Sequence, residues 1–355
     1  MKRSTIIFPI LALLASACTN PLDLQSSQEP DVIILNAMLR TDDTTHTVWL
    51  SHSLPNMVKP MDDAQLACYV NGEHLADGKL TKKDYVASYN SAYEFKARIQ
   101  PGDEVRLEVC CHGLKAHATA TAPQPAAITA VVDTTWGQNT PDFFVGDTRM
   151  LSCKLRLQDR PGEDNWYRLS VSGSAEITRD REQEAYDLGG EDPIPVSFRR
   201  ENPVNFSFRS DPILNDGHAD PASELSDLLD YLNSSVYSKY CTFSDHAFSD
   251  GQGDVTIRIP DFELRYYDYV HSYDYETSDH LSLHFDLLTI TREEYLYFDA
   301  FNRNDTYGGM YPIYDPICFP TNVDGGLGFF SIESACRLTL EPVPFTGKDA
   351  DEWNY

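Results

Sequence analysis

Three aspartates surround the glycines of the segment between residues 244 and 254. Asp245, Asp250 and Asp254 supply hard carboxylate oxygens on a backbone that the glycines allow to bend, and Ca²⁺ prefers such ligands. The spacing matches no EF-hand register, and an acidic, solvated turn before the strand at Val255 explains the same residues. We therefore treat the three aspartates as a weak calcium candidate.

Histidine and aspartate also alternate along one predicted strand. His280, His284 and Asp286 share one strand face, because side chains repeat every two residues. Two imidazoles and a carboxylate suit a transition metal, but a polar outer face explains the same alternation, and the sequence shows no further partner for the set. We expect no metal and no other cofactor in this protein.

Five tyrosines interleave with acidic residues in one short segment of the chain. They are Tyr266, Tyr267, Tyr269, Tyr273 and Tyr275. Rigid amphipathic rings make contact surfaces for protein, peptide or sugar, whereas tyrosine also favours strands, so an edge hairpin is the alternative. We interpret the segment as a candidate contact surface for a partner.

The sequence contains no recognisable catalytic motif. Serine and histidine are plentiful, yet no Gly-x-Ser-x-Gly elbow occurs, and no cysteine lies in a known nucleophile signature. Carboxylate pairs for glycoside hydrolysis carry no information in so acidic a chain, because any two acids could converge in space. We therefore expect a protein that is not an enzyme.

The N-terminal segment has the pattern of a bacterial secretion signal. Lys2 and Arg3 precede an apolar stretch from Ile6 to Leu14, and small residues lead into Cys18. This resembles the lipobox of bacterial lipoproteins, whose cysteine is acylated and becomes the first residue of the mature protein. Alanine stands three residues before Cys18, where leucine is commonest, so ordinary cleavage after residue 17 is the alternative. Acyl chains would anchor the protein to a membrane without a spanning helix.

Seven further cysteines follow Cys18, so at least one thiol stays unpaired. Cys68 and Cys111 fall on the inward faces of two predicted strands, and a core disulfide between them is one interpretation. Cys110 points outward and is the expected unpaired thiol. The alternative is that buried thiols act as small apolar residues.

The charge balance excludes one class of partner. The 355 residues include 28 lysines and arginines against 55 aspartates and glutamates, which gives a formal net charge of −27. Such a polyanion is repelled by nucleic acid.

Short alternating segments separated by turns dominate the first third of the chain. They are residues 32–39, 47–51, 65–70, 93–99, 104–111 and 116–121. Six such strands within ~100 residues predict an immunoglobulin-like (carboxypeptidase-regulatory-like) β-sandwich. Thr121 to Pro125 then forms a stiff, extended boundary.

The remainder predicts a larger, second β-sandwich-type domain with one or two short helices. Its strands are residues 150–158, 166–176, 254–259, 281–290, 329–332 and 336–340. Leucines at helical spacing predict a helix over Ala222 to Leu232. A capping box from Thr291 to Glu294 predicts another helix, which runs to about Phe301.

The expected division of the chain has six parts. They are a signal peptide (1–17), a lipidated tether (18–30), the immunoglobulin-like sandwich (31–122), a proline-rich linker (123–127), a C-terminal β-rich domain (128–345) and an acidic tail (346–355).

The segment from Phe319 to Phe330 carries a family resemblance. Its proline, its asparagine and the Gly-Leu-Gly-aromatic run at Gly326 to Phe329 resemble the closing pattern of domain of unknown function 4249, a family of Bacteroidota outer-membrane lipoproteins. Supporting segments are Val32 to Ala37, Thr47 to Ser51 and Gln100 to Leu107. The resemblance implies an outer-membrane location, a sandwich-type N-terminal domain and association with TonB-dependent transporters. It implies no catalytic residue.

The glycines of the closing pattern predict a structural role. They supply the backbone freedom that a turn or bulge needs, and Pro320 stops the preceding strand. The run lacks the lysine and the following helix of a phosphate-binding loop.

We therefore expect a cell-envelope lipoprotein that is a non-catalytic binding or accessory component at the outer membrane, with a TonB-dependent transporter or another envelope protein as partner. The alternatives are a surface hydrolase of glycan or peptide, and a structural or adhesive surface protein. Asp23, Glu29 and Asp31 after the anchor leave open whether the protein faces the cell surface or the periplasm.

Overall fold

The structure is a computed structural model. It describes residues 31–54, 57–81, 90–137, 149–160, 162–179, 197–208, 211–216, 240–265, 275–277, 281–307 and 319–341. Cys18 with the signal peptide and tether, the helix expected over residues 222–232, and the acidic tail lie outside this part of the chain.

Strands make up most of the described chain. The first nine are β1 (Val32–Arg40), β2 (Thr45–Leu54), β3 (Met57–Pro60), β4 (Gln65–Val70), β5 (Glu73–Asp77), β6 (Lys79–Thr81), β7 (Ser91–Lys96), β8 (Glu104–Cys111) and β9 (Leu114–Thr121). The next eight are β10 (Ala127–Gly137), β11 (Met150–Gln158), β12 (Trp166–Arg179), β13 (Ser197–Pro203), β14 (Cys241–Ser244), β15 (Gln252–Pro260), β16 (Tyr275–Thr277) and β17 (Ser282–Ile290). The last two are β18 (Val323–Asp324) and β19 (Gly326–Leu340), and the helices are α1 (Asp261–Arg265) and α2 (Arg292–Tyr307).

The N-terminal half is a β-sandwich built on alternation. On β1, Ile33, Leu35, Ala37 and Leu39 are buried while the residues between them are more exposed, as expected for a strand with one face on the core. The sheet with the order β19-β1-β2-β7-β6 forms one layer, and the sheet β18-β9-β8-β4-β5 forms the other. Their inward side chains share one hydrophobic core.

The C-terminal half is a second sandwich. The three-stranded sheet β10-β11-β15 packs on β13-β12-β17, to which β14 and β16 add through β12. β17 is buried along its whole length. Its neighbours β12 and β19 cover both of its edges, so every polar backbone group along most of the strand can be satisfied inside the sheet.

β19 connects the two halves. Its first part pairs parallel with β1, from Gly326 opposite Ile33 to Glu333 opposite Arg40, and its second part pairs antiparallel with β17, from Ser334 to Leu340. One eleven-stranded sheet therefore runs through both sandwiches. The core of the N-terminal sandwich includes Val323, Phe330 and Ile332 from near the end of the chain.

The prediction of a mainly β protein with an N-terminal sandwich is confirmed. The six-part division remains a prediction, although a contribution of the last strand to the first core was not foreseen. No helix within the described residues is long and apolar enough to cross a membrane.

Candidate functional site

Helix α2 begins where the capping pattern predicted. The Glu294 backbone N–H donates to Thr291 Oγ1 over 3.3 Å, and the first turn carries Glu293 and Glu294, which suits the positive end of the helix dipole. The helix packs against β19, β12 and β14. It continues to Tyr307, six residues past the predicted end.

A cleft of about 410 Å³ lies between α2 and the outer surface of β1 and β2. Most of its large side chains are aromatic. It is lined by Asn36, Ala37, Met38, Asp43, Thr45, His46, Thr47, Trp49, Tyr240, Tyr297, Phe298, Phe301 and Phe329. We call it the aromatic cleft.

Ring contacts hold the helix side of the aromatic cleft. Tyr297 stacks on Phe329 of β19 with ring centroids 4.6 Å apart and an angle of 16°. Tyr240 lies 4.2 Å from Phe298 and meets Phe301 edge-on at 5.5 Å. Such offset and edge-on pairs add about 1 kcal/mol each beyond burial, so the wall keeps its shape without a ligand.

The backbone of Tyr240 is fixed by the helix as well. The Asn302 side chain accepts a hydrogen bond from Tyr240 N at 3.2 Å and donates one to Tyr240 O at 2.8 Å. This amide reproduces the pairing of a neighbouring strand. These two hydrogen bonds therefore fix the position of the Tyr240 ring in the cleft.

The opposite wall is the strand pair β1–β2. Asn36 and Trp49 are cross-strand partners on the outer face, and Thr45, Thr47 and Asp43 add oxygen atoms. A concave site with aromatic walls and a few convergent polar groups is the usual form of a small-molecule pocket, and 410 Å³ falls within the range of such pockets.

His46 in this wall has a structural role. It is buried, its Nε2–H donates to the Ala97 carbonyl at 3.2 Å, and its ring lies 5.3 Å from that of Phe95. Burial lowers the pKa of His46. The imidazole is therefore neutral at pH 7 and supplies no charge to the cleft.

Arg168, Glu294 and Glu333 meet on the other side of Phe298. Arg168 of β12 lies with its guanidinium 5.2 Å from the Phe298 ring centroid. It donates Nε–H to Glu294 Oε1 at 3.3 Å, and it also donates Nη2–H to Glu333 Oε1. Glu294 and Glu333 are buried. One cation thus serves two carboxyl groups away from water.

One of the two carboxyl groups in this trio of Arg168, Glu294 and Glu333 is protonated and therefore neutral. Burial, and next to it the negative charge of Glu333, raise the pKa of Glu294 well above its ordinary value. We assign the proton to Glu294 and the anion to Glu333. Glu294 Oε2 and the Ser331 hydroxyl oxygen are both buried, and Ser331 acts on the pKa of Glu294 in the opposite, lowering direction, as the smaller effect. The trio is too enclosed to act on a substrate in this conformation.

The glycines of the closing pattern allow two strands to approach. A Cβ on Gly326 would lie 2.6 Å from the Ile33 carbonyl oxygen, and one on Gly328 would lie 2.1 Å from that of Leu35. Gly328 also has a φ of +109°, where other residues are strained. The structural role predicted for these glycines is confirmed.

The asparagine of the same pattern closes the turn before β19. The Asn322 amide donates to Phe330 O at 2.6 Å and accepts from Phe330 N at 2.9 Å. The following residues then divide between two sites: Phe330 enters the N-terminal core, and Phe329 forms the base of the aromatic cleft.

The structure does not bring the three aspartates of the calcium candidate together. Asp254 binds Arg156 through both oxygens, at 2.7 and 2.9 Å, and this pairing lowers the pKa of Asp254 to about 2. Asp245 accepts from Asn165 N at 3.0 Å, and Asp250 lies exposed in a turn. They do not converge, because Asp254 is paired with Arg156, which is nearly 100 positions away in the sequence.

The alternating histidine strand is occupied by internal partners. His284 hydrogen-bonds Ser174 Oγ through Nε2 at 2.7 Å and Thr339 Oγ1 through Nδ1 at 2.9 Å. Asp286 accepts from Arg337 at 2.7 and 2.8 Å. His280 lies outside the described residues. The polar contacts connect β17 to its neighbours.

The possible disulfide between Cys68 and Cys111 is not formed, and both thiols are free, as in the alternative interpretation. Both point inward as expected, but the register places Cys68 opposite Leu107. Cys111 is four residues further along β8, roughly 14 Å away at about 3.4 Å per residue, which a disulfide cannot span. Cys110 is half-buried and free.

The tyrosine segment lies almost wholly outside the described residues. Only Tyr275 is included, at the start of β16, where its backbone pairs with Arg179 of β12. A contact role for Tyr266, Tyr267, Tyr269, Tyr273 and Tyr275 remains a prediction.

Sequence reasoning did not find the aromatic cleft. Its rings come from positions as far apart as Trp49, Tyr240 and Phe329. The one local signal is the spacing of Tyr297, Phe298 and Phe301 on α2, which places three rings on one side of a helix.

The fold and the cleft define a mainly β protein of two joined sandwiches with an aromatic cleft beside the joining strand. The chain belongs to the domain of unknown function family DUF4249, whose family model matches residues 19–336. No curated protein matches the sequence.

Among solved structures, the chain is similar to a DUF4785 family protein from Legionella pneumophila subsp. pneumophila str. Philadelphia 1. The two are 8% identical with a TM-score of 0.20, and the match covers 72% of this chain. It spans about half of that protein, 52% of its chain. A likeness at this level supports no statement about the fold or function of the present chain.

Proposed function

We propose that the protein is a lipid-anchored, non-catalytic binding component of the bacterial outer membrane, and that the aromatic cleft is its ligand site. The observation that carries the proposal is the cleft itself, a concave surface of 410 Å³ with aromatic walls and a small number of oxygen groups. The signal pattern that ends at Cys18 supports the anchor.

The walls favour a neutral ligand that has apolar ring faces and hydroxyl groups. Tyr240, Tyr297 and Trp49 are each half-buried, so their rings are accessible in part. Asn36, Thr47 and Asp43 offer hydrogen-bonding groups beside them. The cleft contains a carboxyl group and the chain has a net charge of −27, so an anionic ligand is repelled. Neutral sugars have this combination of apolar faces and hydroxyl groups.

The test is a binding screen of neutral and acidic oligosaccharides against the purified full chain, followed by titration calorimetry of the hits. We expect saturable binding of a neutral glycan, weakened at least about tenfold by Trp49→Ala or Tyr297→Ala, since each removes a stacking surface. Tyr69→Ala is the matched control, because Tyr69 is a half-buried ring on β4 that is not part of the cleft lining. Binding that survives both cleft changes, or no binding of neutral glycans, contradicts the proposal.

The accessory role has its own experiment. We propose that the anchored protein partners a TonB-dependent transporter, as its family resemblance implies, and passes the ligand to it. The tagged, acylated protein extracted in mild detergent should co-purify with an outer-membrane transporter in stoichiometric amount. Absence of such a partner would refute the transporter association and leave ligand binding to be judged by calorimetry.

A further inference from the structure

A second group of side chains meets at the turn between β8 and β9. None of them lines the aromatic cleft. The Cys111 thiol lies 3.3 Å from Asp63 Oδ1 and 3.7 Å from His112 Nδ1. His112 Nε2 lies 2.7 Å from Asp63 Oδ2. Among the described residues these three form the group of histidine, cysteine and acid side chains that is compact enough to hold a metal ion.

The turn fixes two of the three side chains. Cys111 pairs with Leu114 at the end of the hairpin, and His112 and Gly113 form its two-residue loop with φ values of +47° and +85°. Two successive residues with positive φ are the mark of a tight hairpin turn. The Cys111 side chain points into the sandwich edge while the imidazole stands at the surface.

The third side chain is held by a separate set of bonds. Tyr93 donates its hydroxyl to Met61 O at 2.9 Å and accepts from Ala64 N at 2.9 Å, so the residues on both sides of Asp63 are attached to one buried ring. Asp62 accepts from Ser91 Oγ at 2.5 Å. The carboxyl group of Asp63 is therefore supported by a rigid segment, as a metal ligand requires.

The distances from the thiol to the other two donor atoms suit a tetrahedral ion, and the three residues each offer a ligand atom within 4.8 Å of the others. With metal–ligand bonds of about 2.0–2.3 Å, two ligands on a tetrahedral zinc ion are separated by roughly 3.3–3.8 Å. The Sγ–Oδ1 and Sγ–Nδ1 distances of 3.3 and 3.7 Å lie within this range. Binding of the ion through Nδ1 releases the contact between Nε2 and Oδ2, because one carboxylate cannot reach both the ion and the far nitrogen of the same ring.

The same three residue types could suggest a cysteine nucleophile, but the electrostatics oppose it. Burial and the hydrogen bond to Asp63 raise the pKa of Cys111 to about 11, whereas an activated nucleophile needs a lowered pKa. A bound divalent cation instead favours the thiolate form of Cys111, because its two positive charges balance the thiolate and the carboxylate together.

We propose that Asp63, Cys111 and His112 form a zinc site, with Zn²⁺ bound by one carboxylate oxygen, one thiolate and one imidazole nitrogen. The thiol proton leaves to solvent when the metal binds, so the thiolate and the carboxylate neutralise the ion. The side chains of Asp63 and His112 are 60% and 73% exposed. The fourth position therefore faces water and takes a water molecule or a ligand from outside the chain.

The experiment uses the purified full chain, stripped of metal and titrated with Zn²⁺ and with Co²⁺ as a spectroscopic probe. We expect one tight zinc equivalent, and with Co²⁺ a thiolate charge-transfer band together with the intense visible bands of tetrahedral cobalt. Cys111→Ser, Asp63→Asn and His112→Asn should each weaken zinc binding at least about tenfold. Asparagine is chosen at position 112 because it tolerates positive φ.

Two controls match the ligands in residue type. Cys110→Ser changes the adjacent, half-buried thiol, and His117→Asn changes a half-buried histidine that pairs with Asp324 on the same sheet. Neither should alter the zinc affinity or the cobalt spectrum. Asp63→Asn affects an exposed group, so it tests the site even if changes at the buried Cys111 impair folding. Zinc affinity unchanged by Asp63→Asn and His112→Asn, or a cobalt spectrum without a thiolate band, would overturn the proposal.

Discussion

At the scale of single residues, Arg168 and the two carboxyl groups that it contacts determine where a buried proton lies. Arg168 lies between two carboxyl groups that are both buried, and a second negative charge there would have no cation of its own. A buried charge without a partner is more costly than a buried neutral acid. The carboxyl group on α2 therefore keeps its proton, and the one on β19 forms the ion pair.

This assignment predicts unequal effects of two similar substitutions. Glu294→Gln exchanges one neutral group for another of the same shape and should change the free energy of unfolding by less than about 1 kcal/mol. Glu333→Gln removes the anion that Arg168 contacts and should destabilise by about 3 kcal/mol. Urea unfolding of both variants measures the difference. Equal losses, or the reverse order, would show that the proton is not on Glu294.

The same proton gives a pH dependence with a definite sign. The pKa of Glu294 is raised in the folded state above its ordinary 4.5, so the folded protein holds this proton more tightly than the unfolded chain. Its contribution to stability is complete below about pH 4.5 and is lost as pH rises through the raised pKa. The stability of the native protein relative to Glu294→Gln should therefore be greater at pH 5 than at pH 8. A constant difference across that range would contradict the assignment.

At the scale of the element, β19 explains why the closing pattern contains glycines. The strand runs parallel to β1, with Gly328 opposite Leu35. The approach at this point is close enough that a methyl group on Gly328 would collide with the Leu35 carbonyl oxygen. The glycines of the pattern thus allow β19 to approach β1, and Phe329 beside them lines the aromatic cleft.

Gly328→Ala should destabilise the protein by at least about 2 kcal/mol, from the positive φ and the contact with β1 together. Gly137→Ala is the matched control, because a Cβ there meets no atom within 4 Å and Gly137 lacks a positive φ. It should change stability by less than about 0.5 kcal/mol. Denaturant titration checks both, and a Gly328→Ala protein as stable as the control would exclude the close approach.

The sequence predicts those parts of the fold whose cause is local. Alternation at Ile33 to Leu39 identifies a strand with one buried face, and Thr291 with Glu294 marks a helix start, because each signal lies within a few residues. The pairing of Asp254 with Arg156 has no local cause, since Arg156 reaches Asp254 only after the sheet has formed. The aromatic cleft and the Asp63–Cys111–His112 group likewise depend on strand register, which no single segment encodes.

At the scale of the whole molecule, the first sandwich depends on the end of the chain. Without β19, β1 would become a sheet edge, and the core would lose Phe330 and Ile332. Both side chains are completely buried, and burial of each stabilises the fold by roughly 2 kcal/mol. We therefore expect the N-terminal segment to be incomplete as a folding unit, although it contains most of the strands of its own sandwich.

A fragment of residues 31–122 should accordingly show no cooperative unfolding transition, because an exposed edge and a missing part of the core leave too little burial to offset chain entropy. The pairing of β18 with β9 shows how the missing strands can be added back to the fragment. Val323 pairs antiparallel with Ala118, so position 320 lies beside Thr121, and a loop of about four residues can join the two as a hairpin. The fragment extended in this way through residue 333 regains β18 and the first part of β19. Circular dichroism in a urea series should show a cooperative transition for the extended fragment alone. Cooperative unfolding of residues 31–122 without the extension would show that the first sandwich is complete in itself and that β19 only adds to it.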